Sequence, residues 1–273
     1  MKNEKTYELV LTALFTTIIV IMAFAPLGYI PLVVINATII HVPVILGALF
    51  LGPKKGAFLG FVFGLTSFIN NTFKAATASA FVFSPVLAAD IVGVSGIFKS
   101  MYICFVPRIL VGIIPYFVYM LIRNLLKKED KIWRLAINGV AAVILFISIR
   151  ASVNNLVSDE KRFIGTITGL LFGVILFVIL TVSSMEKDSA SIALAYAGLT
   201  GAFTNTLFVM SGIFILYKDA YANALGIAGD AVIDVIMGVI SFNGVVEAVV
   251  AAILVSGVGL VLSRIKPVKE LKA

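Results

Sequence analysis

Residues 163–182 read FIGTITGLLFGVILFVILTV, a run without a charged side chain and as long as the roughly 20 residues a helix needs to cross a hydrocarbon core about 30 Å thick. The rest of the chain agrees with this stretch. Of its 273 residues 61% are hydrophobic and only 13% charged, whereas soluble domains carry roughly a quarter charged residues; the mean hydropathy is +1.12. Comparable runs at 7–24, 33–51, 56–73, 103–122, 132–149, 190–216 and 243–262 predict an all-α polytopic transmembrane bundle of about eight spans. The apolar stretch 231–262 is too long for one perpendicular crossing. Asn243-Gly244 divides it, so the leading piece with Asp230 and Asp234 is expected at the surface.

Charge supports the same fold. The formal charge is +7, but the Lys and Arg residues stand in small groups between apolar runs rather than on one stripe, which makes them topology signals and argues against nucleic acid as a partner. With the N-terminus inside, all of them except Lys74, Lys99, Arg108, Arg150, Lys161, Arg162 and Lys218 fall on the cytoplasmic side, so both termini are expected to face the cytoplasm. Lys2 and Lys5 before residues 9–25 superficially resemble a secretory signal, but the run is too long for one and further spans follow, so it reads as the first transmembrane helix.

Polar residues inside apolar spans are costly and therefore informative. His41 lies early in an inward-running helix, Asn70 and Asn71 end an outward-running one, and Arg108, Asn243 and Glu247 fall within about two turns of outer helix ends, roughly 10 Å deep. Asn205 is deeper. Together with Asn36 and Ser84 they outline an outward-facing pocket above an apolar floor, and these nine residues are the candidate substrate-binding set. Each has a plainer alternative: Arg108 as a snorkelling interface residue, Asn205 as interhelical glue, His41 as a packing residue, Glu247 as the ion-pair partner of Arg108. Residues 26–36, with Pro26, Gly28 and Pro31, form a stiff outer turn, and residues 70–100 read as a lid or re-entrant loop.

Absences narrow the class. The sequence has no G-x-x-x-x-G-K-[ST], so ATP-driven work requires a partner; H-E-x-x-H and G-x-S-x-G are also missing, and no catalytic residue or cofactor is expected. Cys104 and His41 are each the sole residue of their type, which leaves neither an intrachain disulfide nor a metal cluster.

Particular motifs carry a resemblance. PLGYIPL (26–32), INATIIHVPVILG (35–47), LGPKKGAFLG (51–60), FGLTSF (63–68), FVFSP (81–85), VPRILVG (106–112) and NGVVEA (243–248) are similar, in order and spacing, to the S components of energy-coupling factor (ECF) transporters. Members labelled as pantothenate carriers are the most similar. The resemblance implies a six-helix core that captures a vitamin from outside and delivers it with a T component and two ATPases, the subunit toppling in the membrane to do so. It also implies docking to the T component through a small-residue face of the first helix, for which Ala13 and Thr17 are the nearest counterparts. The segment at about 133–189 then reads as an inserted helical hairpin in a single domain spanning 1–273. Cobalamin, riboflavin or a thiamin precursor remain open as cargo, as do two other classes: a stand-alone secondary transporter, and a membrane enzyme using Glu247 and His41.

Overall fold

The structure is a computed structural model that describes residues 2–25, 28–31, 36–75, 77–126, 131–154, 162–185 and 189–265. Its helices are α1 (Lys2–Phe24), α2 (His41–Leu51), α3 (Pro53–Phe73), α4 (Pro85–Val92), α5 (Val94–Val111), α6 (Ile114–Leu126), α7 (Lys131–Asn154), α8 (Arg162–Met185), α9 (Ser189–Leu225) and α10 (Val232–Ile265). Among the described residues, seven helical segments are long and apolar enough to cross a membrane, α5 and α6 together making one of them.

The expected span at 33–51 is corrected to a shorter helix. Residues Tyr29–Pro31 (β1) and Asn36–Thr38 (β2) pair as an antiparallel hairpin with Tyr29 opposite Thr38, and Ile39 N–H donates to the Gly28 carbonyl. The backbone is committed to strand until then, so α2 starts only at His41. All 11 of its residues are buried, as befits a helix apolar on every side. Gly52, at φ 89°, then reverses the chain into Pro53, the first residue of α3; a left-handed glycine followed by a proline at the helix start makes this hairpin tight.

Glycine determines how α3 meets α5. Gly56, Gly60 and Gly64 lie on one face of α3, and a Cβ at these positions would overlap Gly112, the Arg108 carbonyl and the Cys104 carbonyl respectively. The two backbones therefore approach closely enough to fix Arg108 against α3.

One further expectation changes. Residues 231–262 are not divided at Asn243-Gly244, because α10 runs unbroken through both. Gly244 faces Thr206 of α9, so its missing side chain serves a helix contact rather than a break. The segment 70–100, expected as a lid or re-entrant loop, carries short helical elements: α3 extends to Phe73, a 3-10 turn spans Ala78–Phe83, and α4 leads into α5 at Val94. Ser84 caps α4 by accepting from Leu87 N–H.

The buried core joins α1, α2, α3, α6, α9 and α10. Helices α7 and α8 pack chiefly on one another, with Gly165, Gly169 and Gly173 of α8 against the α7 backbone. The pair is tied to the rest by α7 against α10 and by Tyr196 O–H of α9, which donates to the Ile137 carbonyl at 2.8 Å. Val140, Val143, Ile147, Leu170 and Leu171 are exposed, the pattern of a lipid-facing surface.

Candidate functional site

The site forms where α2, α5, α9 and α10 meet beneath the β-hairpin. Ile45 of α2 touches Gly201 of α9. One turn nearer the hairpin on each of these antiparallel helices, this brings His41 level with Asn205. Next to Asn205, the Thr206 hydroxyl donates to Glu247 Oε2 at 3.1 Å, and Asn243 lies one turn before Glu247 on α10. Thr38 N–H of β2 donates to Glu247 Oε1 at 2.8 Å. One carboxylate thus binds the hairpin above to α9 beside it.

Arg108 enters from α5 and is 6% exposed. Its guanidinium reaches back toward the start of its helix and donates from Nη1 to the Ile103 carbonyl, as helical side chains lean toward the N-terminus. It lies over the rings of Phe83 and Phe63, at 5.1 and 5.5 Å from their centroids. Aromatic faces stabilise the cation without neutralising it. It is within Coulombic range of Glu247, whose carboxylate also accepts from Thr38 and Thr206. Beside that interaction with Arg108, Glu247 latches the hairpin to α9.

Depth is corrected too. Because α5 begins at Val94 and α10 at Val232, Arg108 and Glu247 lie about four turns from those helix starts rather than two. Both side chains therefore lie deep within the bundle.

Three members present unsatisfied groups. Neither His41 ring nitrogen has a hydrogen-bond partner, nor do Asn205 Oδ1 and Asn243 Oδ1, although His41 is fully buried and the two asparagines nearly so. Orphaned buried polar atoms are costly, on the order of 1–3 kcal/mol each. A ligand bearing hydroxyl or amide groups would satisfy them.

Three of the other candidates make hydrogen bonds of their own. Asn70 Nδ2 donates to the Ala23 carbonyl at 2.6 Å, tying α3 to α1. Asn71 Nδ2 donates to Ser67 one turn back. Ser84 is fully buried, caps α4 and shares a hydrogen bond with Thr72. Asn36 begins β2, and its side chain lies outside what the structure describes. Ala13 and Thr17 are exposed on α1, where the Thr17 hydroxyl folds back on the Ala13 carbonyl at 2.9 Å. Among the described residues no cluster of His, Cys, Asp or Glu could hold a metal ion.

Sequence reasoning missed Thr38 and Thr206. Neither residue type is costly enough in an apolar run to draw attention alone. The signal for Thr206 was its place beside Asn205; for Thr38 there was none, because it is the backbone N–H that acts.

No family model matches the chain. It is 40% identical over 127 residues to the pantothenic acid transporter PanT of Lactococcus lactis subsp. cremoris, a match covering 45% of this chain and 63% of that relative's length. It is 25% identical over 267 residues to the pantothenate transporter PanT of Leuconostoc mesenteroides subsp. mesenteroides, covering 96% of this chain and 95% of that relative. Both relatives are named as transporters rather than enzymes. With seven membrane-length apolar helical segments among the described residues, the chain is a multi-pass protein of the bacterial cell membrane.

Proposed function

We propose that this chain captures pantothenate in an outward-facing pocket, as the S component of an ECF-type uptake transporter, and releases it inward only with a T component and two ATPases. The observation that carries the reading is Arg108, an aromatic-flanked cation fixed by the glycine face of α3 and within Coulombic range of Glu247, whose own helix carries the orphaned acceptor of Asn243 and whose partner Thr206 adjoins that of Asn205. Pantothenate combines a carboxylate with an amide and hydroxyls. The carboxylate suits a guanidinium fork; the hydroxyls and the amide N–H suit two asparagine oxygens, and His41 can accept or donate. Two relatives named for pantothenate transport support this cargo.

The missing nucleotide motif supports dependence on ATPase partners. Ala13 and Thr17, exposed on α1, are the docking face in this reading, since small residues let helices approach closely. In this reading the helices α7 and α8 are an addition to the core; the Lactococcus relative, of which one matched segment is 63% but only 45% of this chain, is the shorter protein, whereas the Leuconostoc relative matches along nearly the whole chain. A purified, reconstituted chain tests the proposal. It is expected to retain one pantothenate without ATP and to fail to accumulate it in vesicles; concentrative uptake by the lone chain overturns the subunit reading, and absence of pantothenate binding overturns the cargo.

A further inference from the structure

On the lipid-facing side of the bundle, away from Arg108, α5 and α9 leave a groove of about 570 Å3 whose lining includes Phe98, Lys99, Tyr102, Phe208, Gly212 and Ile215. Its walls are almost wholly apolar, and Phe98 and Ile215 are 71% and 75% exposed. Gly212 keeps it open, because a side chain there would press on Ile103 and Tyr102. At its rim stands one cation. Lys99 Nζ lies 5.7 Å from the centroid of the Tyr217 ring, and that ring is pinned by two hydrogen bonds of its hydroxyl, to the Gly96 carbonyl and to the Ser100 hydroxyl, each 2.7 Å. Among the described residues no carboxylate lies within ion-pair distance of Lys99.

The level of this lysine matters. Cys104 of α5 meets Gly64 of α3, and α3 ends at Phe73. Lys99, just over a turn further toward the start of α5, therefore stands about one turn below the end of α3, a distance its four-carbon stem can span. An ammonium at that depth, over an aromatic face and unmatched by a carboxylate, favours an anion at headgroup height. Below it the groove continues along α9 toward Leu207 for roughly 13 Å, lined there by apolar side chains apart from Ser211.

We propose that this groove holds one anionic phospholipid, its phosphodiester on Lys99 and one acyl chain along α9. Charge complementarity selects this occupant: a zwitterionic lipid would bring its own cation beside Lys99, and a second copy of the chain would bring another Lys99 rather than an anion. The site is separate from the pocket around Arg108. Native mass spectrometry of the full chain with equal phosphatidylglycerol and phosphatidylcholine tests it. We expect one retained phosphatidylglycerol, preferred about fivefold, the weight of one lysine near a charged surface. Lys99→Gln should abolish the preference, Lys99→Arg should keep it, and Ser211→Trp, at an exposed position of the lining, should displace both lipids. Pantothenate affinity checks that each variant remains folded. Equal retention of the two lipids, a preference surviving Lys99→Gln, or a lipid-free dimer in this groove would overturn the proposal.

Discussion

Replacing Glu247 tests whether one carboxylate holds the hairpin over the pocket. Its Oε1 accepts from Thr38 N–H at 2.8 Å and its Oε2 from the Thr206 hydroxyl at 3.1 Å, and the side chain is 5% exposed. Hydrogen bonds to a charged group contribute about 1.5–3 kcal/mol each. Glu247→Ala removes both and leaves the Thr38 amide without its acceptor. The local opening free energy at Thr38 should fall by about 1.5–3 kcal/mol, which is roughly 10- to 150-fold faster exchange. Glu247→Gln keeps an oxygen for Thr38 and can turn its amide toward Thr206, so exchange should accelerate by less than about tenfold. Hydrogen exchange of the peptide containing residues 36–38, followed in detergent for all three proteins, gives the comparison. If Thr38 exchanges at the same rate in wild type and Glu247→Ala while both remain folded, the latch does not exist.

Two further substitutions separate packing from binding. Gly60→Ala forces a Cβ into the Arg108 carbonyl and Ile109, so it should cost about 1–3 kcal/mol in thermal stability and weaken pantothenate binding by displacing Arg108; Gly238→Ala, in a helical position with nothing near the new Cβ, should be neutral or slightly stabilising. Melting curves of the two beside wild type check the contrast. Asn205→Leu removes an acceptor that has no partner in the protein; the ligand-free protein should melt no lower than wild type, while pantothenate affinity drops about tenfold or more, as read by calorimetric titration.

Much of this was legible in the sequence because the bilayer is an uncompromising solvent. A charge-free run such as 163–182 can only be a helix there, and Arg108, Asn205, Asn243 and Glu247 stood out because their burial is expensive. Three kinds of feature were not legible. The boundary of α2 depended on strand pairing between Tyr29–Pro31 and Asn36–Thr38, which competes with helix over residues whose apolar character suits either. The continuity of α10 depended on Gly244 finding Thr206, and a glycine at a helix contact reads in one dimension like a glycine at a break. The roles of Asn70 and Ser84 depended on partners far along or outside their own helices, the Ala23 carbonyl and the Thr72 hydroxyl. The stripe of Gly56, Gly60 and Gly64 was present in the sequence as a repeated small-residue spacing, yet which helix it would receive is a fact of three dimensions.

The central claim is that Arg108 binds the carboxylate of pantothenate, and calorimetric titration of pantothenate beside its neutral primary amide tests it most directly. Wild type should prefer the acid. Arg108→Ala should lose about 2 kcal/mol or more of affinity for the acid, and Arg108→Lys much of the same, because a point charge does not reproduce the planar fork. Affinity for the amide should change little in either variant, so the acid-over-amide preference collapses. A folded Arg108→Ala protein that still prefers the acid by the wild-type margin would contradict the account.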